Sequence, residues 1–236
     1  VFLSMPCLGT TAPATQAGAL AMGDAEIISA TVLMQLVAPG APVGHSMMQA
    51  WADPRTGGYV SYPRDARGRY GVVEMAHHWG MPSLGACYGT DSVDTATWQS
   101  AAEPALDPLL AGLTSPEIVT GMGLARTYTL LNPEQLVMDS DLYHRARYYL
   151  QAVEVSPETL ALDVIDKVGP GGHFLGHDHT FKRFKTENWR SPLVDRQVYA
   201  DWEASGSKSY QQRVHERMIE ILEAESEPLL DEKMYK

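Results

Sequence analysis

Four times between Val1 and Leu150 a short apolar run gives way to a turn-rich loop and then to a segment with helical periodicity. This alternation constrains the fold more than any other feature, because strands separated by helices pair in parallel through right-handed crossovers. The first unit comprises Val1–Met5, the loop Gly9–Pro13 and a helix from about Ala14 to Val37. On that helix Ala17, Ala21, Ala25, Ile28, Val32 and Leu36 recur at spacings of three and four and predict the core-facing stripe. The second unit takes Ala41–Ser46 as its strand and Trp51–Tyr59 as a polar loop. Its helix has Ser61 as N-cap, Pro63 in the first turn, and Val72, Met75, Ala76 and Trp79 facing inward. Pro82–Tyr88 and the capping-rich loop Gly89–Thr95 open the third unit, whose helix is interrupted at Pro104 and Pro108. Glu117–Met122 and a helix over Pro133–Leu150 form the fourth.

A closed barrel of eight such units takes ~250 residues. Residues 1–155 therefore read as an α/β fold of the (β/α)8 TIM-barrel type present as a half barrel of about four βα units, with open sheet edges at Val1–Met5 and Glu117–Met122. The rhythm then stops. Residues 156–236 read as a C-terminal helical extension: a helix over Pro157–Val168, the glycine- and histidine-rich loop Gly169–Thr180, a mixed basic stretch Lys182–Asp195, and a last helix over Tyr210–Glu225. Val214, Met218, Ile221 and Leu222 share one side of that last helix. Because the chain opens at Val1, inside a strand, it is expected to belong to something longer.

Charge and composition narrow the function classes. Eighteen Lys+Arg against 29 Asp+Glu give a net charge of −11, which argues against nucleic acid as a partner. Two cysteines are too few for a disulfide scaffold and suit a reducing compartment, so a soluble, cytoplasmic protein is expected. The longest apolar stretch, Ala25–Ala38, contains Glu26, Ser29, Thr31 and Gln35, and on that ground no membrane span is expected.

In parallel α/β folds, ligands sit beyond the carboxyl ends of the strands. Cys7, His45 and Cys87 end three successive expected strands and define one candidate, a zinc ion at the barrel mouth. The competing reading makes them buried small side chains with a hydrogen-bonded histidine. Gly121 closes the fourth strand. Trp51, Tyr59, Tyr62, Tyr88 and Trp98 fall on the expected loop face, where ring faces hold a cation by cation–π contact or simply pack. Asp53, Arg55, Asp91 and Asp94 lie in the same loops, as substrate contacts or as capping residues. His173, His177 and His179 form H-x3-H-x-H, without an established zinc spacing, on a loop expected to fold over the mouth.

The run GPGGHFLGHDHTFKRFKTENWRSPLVDR (Gly169–Arg196) closely resembles the signature of the trimethylamine methyltransferase family. LSMPCLGTTAPATQAGALA near the start, YGTDSVDT (Tyr88–Thr95) and PEQLVMDSDLYHRARYYLQAVEV (Pro133–Val155) resemble it in the same order, so the likeness covers essentially the whole chain. Family members look about twice this long, which makes the chain similar to their C-terminal half. The resemblance implies a barrel whose mouth binds a methylated amine and a cognate corrinoid protein. The cobalamin-type cofactor is carried by that partner, and its Co(I) takes the methyl group. Founding members carry pyrrolysine, and no nonstandard residue is marked here, which favours a quaternary amine such as a betaine over trimethylamine. Tyr88, Trp51, His45, Asp91, Gly121 and His177 are then the expected substrate contacts. The alternatives are a zinc-dependent methyltransferase using Cys7, His45 and Cys87, or a non-catalytic fragment presenting a corrinoid-protein docking surface. The half alone is expected to be inactive, and a homo-oligomer is possible.

Overall fold

The computed structural model describes residues 1–60 and 66–224, with the side chains of residues 66, 67, 86 and 87 left out of the description. Ser61, Tyr62 and Pro63, expected as cap, loop aromatic and first-turn proline, lie outside the described residues. In chain order the elements are β1 (Phe2–Ser4), β2 (Cys7–Leu8), α1 (Gln16–Val37), β3 (His45–Met47), β4 (Ala50–Ala52), β5 (Tyr59–Val60), α2 (Ala66–His78) and β6 (Ser83–Cys87). There follow α3 (Trp98–Ala102), a 3-10 turn (Pro104–Leu106), α4 (Asp107–Thr114), β7 (Ile118–Thr120), β8 (Leu124–Ala125), β9 (Leu130–Leu131) and α5 (Pro133–Tyr149). The remainder comprises α6 (Pro157–Leu160), α7 (Leu162–Val168), α8 (Asp178–Arg183), α9 (Tyr199–Ala204) and α10 (Tyr210–Glu223).

The chain folds as a mixed α/β protein around a parallel sheet of order β1-β3-β6-β7, in which strand order equals chain order. Phe2, His45 and Ser83 stand level at its amino end. Helices α1, α2 and α4 pack beside one another on one face. Ile27, Met47 and Val72 form the core there, with Phe2 and Leu20 against it. The opposite face carries Leu3, level with Ser46, Leu84 and Ile118. Leu3 and Ile118 are exposed, as is Met5 beyond the end of β1. Each crossover thus returns on the same side, which winds the sheet in one sense only. Beyond the carboxyl ends of β1 and β3 the chain continues almost at once into a small second sheet, β2-β4-β5.

Two helix faces differ from the periodicity. On α1 the buried residues are Ala19, Gly23, Asp24 and Ile27, whereas Ala17, Ala21, Ala25, Val32 and Leu36 face solvent. The helix is apolar on both sides, and its only charges, Asp24 and Glu26, are engaged at the sheet: Asp24 by His45 and Trp79, Glu26 by Ser4. By length and composition alone α1 could cross a membrane, which the sequence reading did not expect; here it lies along β1, β3 and α2. On α2, Val72, Val73 and Ala76 are buried, but Trp79, past the helix end, is half-exposed and its indole N–H donates to Asp24.

The extension shares a core with the fourth unit. Met138 of α5, Leu193 and Val214 of α10 pack together, while Ile221 and Leu222 remain exposed. The stretch expected as one helix over 157–168 is two, broken at Ala161 in the left-handed region (φ 48°).

Candidate functional site at the strand ends

The amino-terminal turns of α2, α4 and α5 meet at the carboxyl end of the sheet, because each helix starts where its preceding strand has ended. Arg69 and Asp107 lie in the first turns of α2 and α4, and Asp139 in the second turn of α5. Asp107 is buried and its carboxylate lies 3.0 Å from Arg69 Nη1. Arg69 Nη2 donates to the Tyr128 hydroxyl at 3.2 Å. Asp139, also buried, accepts from the Gly123 N–H and from Gln135 Nε2, both at 2.8 Å. Burial pushes its pKa up to about 6 although both hydrogen bonds favour the charged form. Burial, reinforced by the charges of Asp107 and Asp139, pushes the Tyr88 phenol well above its ordinary value.

Glu103 anchors the loop after β6 by accepting from the Thr90 hydroxyl and from the Asp91 N–H, the latter at 2.8 Å. A second clamp comes from the loop after β7. Arg126, Thr127 and Tyr128 have φ of 50°, 52° and 64°, three consecutive non-glycine residues in the left-handed region. Each such residue costs ~1–2 kcal/mol, so the turn persists only because its surroundings fix it. The Arg126 N–H donates to Ser92 O at 3.1 Å and the Thr127 N–H to Thr90 O at 3.2 Å. The Tyr128 ring lies over Gly89, where a Cβ would stand 2.5 Å from it; Gly89 itself has φ 144°.

The expected site residues separate into three groups. Trp51 and Asp53 stand at the mouth end: Trp51 half-buried on β4 opposite Leu8, and Asp53 in a turn where its carboxylate accepts from the Arg55 N–H. Asp91 and Gly121 are there too, Gly121 opening a turn closed by the Leu124 N–H. Asp94 accepts from the Thr95 N–H, and Tyr59 and Trp98 are largely exposed.

A second group needs correction. His45 is the first residue of β3 rather than the last of its strand, and its Nε2 lies 3.0 Å from Asp24 beneath α1. It is level with Ser83, four residues and roughly 13 Å along β6 from Cys87. Cys7 pairs with Ala50, five residues beyond His45. The register therefore separates the three proposed zinc ligands and sets His45 at the end of the sheet opposite the mouth, as a buried, hydrogen-bonded core histidine. Tyr88 stands at the mouth end but is 0% exposed, so its ring faces contact protein and form no wall of a cation cage.

The third group is His173, His177 and His179. His177 caps α8, its Nδ1 accepting from the His179 N–H, and His179 Nε2 lies 3.3 Å from Glu158 O. Arg183 ties α8 to Glu158 in the same place. The loop thus packs on α6, near the end of α5 away from the mouth, and does not fold over the strand ends.

Arg69, Glu103, Asp107, Tyr128 and Asp139 were not singled out from the sequence. Only Asp107, as the acid in the first turn of α4, carried a local signal. Together the mouth carries Asp53, Asp91, Glu103, Asp107 and Asp139 against Arg55, Arg69 and the outward Arg126, an acidic balance that favours a cation.

The chain matches the model of the trimethylamine methyltransferase family over residues 1–236. It is 32% identical to a trimethylamine methyltransferase of Desulfitobacterium hafniense over 98% of this chain and 47% of that protein. It is 31% identical to a glycine betaine methyltransferase of the same species over 98% of this chain and 48% of that protein. A trimethylamine methyltransferase of Methanosarcina mazei is 33% identical over 99% of this chain and 47% of its own length. The chain spans about half the length of these relatives. Sequence likeness along the whole chain places it, on these grounds, in the trimethylamine methyltransferase family.

Proposed function

We propose that this chain contributes the strand-end site of a methyltransferase that takes a methyl group from a methylated amine, with a quaternary amine such as a betaine as substrate. The observation that carries the reading is the match along the whole chain to relatives named for trimethylamine and glycine betaine. The acidic balance at the strand ends supports it, since a quaternary ammonium keeps its charge at every pH and donates no N–H hydrogen bond. The acceptor in this reading is the Co(I) of a corrinoid on a separate protein, which supplies the electron pair that binds the methyl carbon while the C–N pair returns to nitrogen. The chain's own task is then to desolvate and orient the ammonium, so that its C–N bond points out of the mouth. The Asp107–Arg69–Tyr128 chain and the Glu103 anchor fix the loop bearing Asp91 for that purpose. Sheet order, helices on one face and the exposed Leu3 and Ile118 on the other support the singly wound sheet as half of a (β/α)8 barrel.

The test is methyl transfer by the complete polypeptide with its corrinoid partner, followed by the amine-dependent loss of Co(I) absorbance. Glycine betaine or another quaternary amine is expected to support it. Turnover of trimethylamine alone removes the quaternary assignment, and turnover of neither removes the activity.

A further inference from the structure

Among the described residues four carboxylates are buried, those of Asp24, Asp107, Asp139 and Asp141. Three of them face a basic side chain: His45 beside Asp24, Arg69 beside Asp107 and Arg145 beside Asp141. Asp139 faces none among the described residues. Its two hydrogen bonds come from neutral donors, the Gly123 N–H and Gln135 Nε2. The ionisable groups around it are Tyr88, which also feels Asp107 of α4, and Tyr210 of α10; β8 brings none, and on α5 itself Asp141 is already paired with Arg145. Gln135 Oε1, on the amide that donates to Asp139, is buried without a hydrogen-bond partner among the described residues, because its nitrogen is committed to Asp139 and to Ser100 O. Acceptors thus outnumber donors around Asp139. A charge held in the interior without a partner is costly, and an uncharged side chain of the same shape is cheaper there. Burial pushes the Asp139 pKa up to about 6, which still leaves the group ionised at neutral pH.

We propose that Asp139 is a positioning residue that supplies the counter-charge for the ammonium group of the substrate, acting from behind the strand-end loops rather than by contact. The inference rests on the reading that the strand-end site takes a methylated amine. Gly123 lies in the turn after β7 and Tyr88 directly after β6, so the carboxylate stands behind two adjacent loops of the mouth. A quaternary ammonium donates no N–H hydrogen bond, and a fixed charge in a medium of low dielectric constant attracts it without one. Asp107 contributes little net field, since Arg69 neutralises it at 3.0 Å. The Gly123 and Gln135 hydrogen bonds hold the Asp139 carboxylate in place, so no reorganisation is needed when the ammonium arrives. Proton and ammonium then compete for one negative charge. Affinity for the ammonium is full above the Asp139 pKa and falls as pH drops through about 6, and a bound ammonium in turn weakens the hold of Asp139 on its proton.

The experiment measures binding of choline and of its uncharged carbon isostere, 3,3-dimethylbutan-1-ol, to the complete polypeptide by calorimetry at pH 7.5 and pH 5. The wild type is expected to prefer choline at pH 7.5 and to lose about tenfold of that preference at pH 5, one unit below the Asp139 pKa. Asp139→Asn is expected to bind choline roughly tenfold more weakly at pH 7.5, to bind the isostere as the wild type does, and to show no such pH dependence. Equal loss of both ligands in Asp139→Asn makes the residue structural and overturns the proposal. Should that variant not fold, the wild-type pair of pH values decides: a preference for choline that is the same at both overturns the counter-charge. Methyl transfer by the wild type, followed alongside, separates the two failures. If it persists while choline binds no better than the isostere, the counter-charge alone falls; if it is absent with every amine, the proposed function falls and this inference with it.

Discussion

Removing either partner of the Arg69–Asp107 pair is expected to destabilise the protein, with a pH signature that differs between the two. The Asp107 side chain is 0% exposed and that of Arg69 11%, with 3.0 Å between the charged groups. At an effective dielectric constant of about 20, two unit charges at that separation interact by roughly 5 kcal/mol. Losing one partner of a buried pair costs ~3–5 kcal/mol, most of it from the charge left behind. In Asp107→Asn the residual charge is a guanidinium, which cannot shed its proton, so the loss is the same at pH 5 and pH 7. In Arg69→Met the residual charge is a buried carboxylate, whose pKa rises. It takes up a proton on acidification, so part of the lost stability returns at pH 5. The double variant leaves no charge and is expected to cost ~2–4 kcal/mol less than the sum of the single losses. Urea unfolding of the complete polypeptide at both pH values measures all of these quantities. Additivity within ~0.5 kcal/mol, or an Arg69→Met loss that is identical at both pH values, refutes a desolvated pair at this position.

Asp139, with a folded pKa of about 6 against an ordinary 3.8, binds its proton more tightly when folded. Its contribution favours the fold below the unfolded pKa and is lost as pH rises from about 4 to about 6; Asp139→Asn removes roughly 3 kcal/mol of that dependence, and parallel stability profiles for the two proteins contradict it. Thr127→Gly relieves one left-handed residue at the expense of backbone entropy, so stability is expected to stay level or rise by up to ~1 kcal/mol in the same unfolding assay; a clear loss instead assigns the Thr127 side chain a packing role. His177→Ala removes the cap of α8 and is expected to speed hydrogen exchange over residues 178–183 at a cost of ~0.5–2 kcal/mol, leaving methyl transfer intact. A tenfold fall in methyl transfer returns His177 to the site.

Element positions were legible in the sequence because they rest on local chemistry. The four strands of the main sheet fall within or one residue beyond their expected apolar runs, and α5 starts at Pro133 because Asn132 caps it by accepting from the Gln135 N–H. Which way a side chain points was legible only where polarity differs between faces. On α1 both faces are apolar, and Asp24, which periodicity places outside, is held inside by His45 and Trp79, while the exposed Glu26 accepts from Ser4. His45 was misplaced for a related reason: Ala41–Val43 is apolar enough to read as strand, but the strand begins only at His45, which moves that residue from the mouth to the opposite end of the sheet. The site itself has no sequence period. Arg69, Asp107 and Tyr128 belong to three different units, and their contact exists only once three crossovers have returned on one side of the sheet. The left-handed turn that presents Tyr128 contains no glycine to announce it. Its strain is supported by hydrogen bonds that the Arg126 and Thr127 N–H groups donate to the Ser92 and Thr90 carbonyls, so the conformation of one strand-end loop depends on the loop before it. Family likeness identifies such a site more readily than local reading because it compares all of these units at once, whereas each unit taken singly shows only a cap, a loop or a turn.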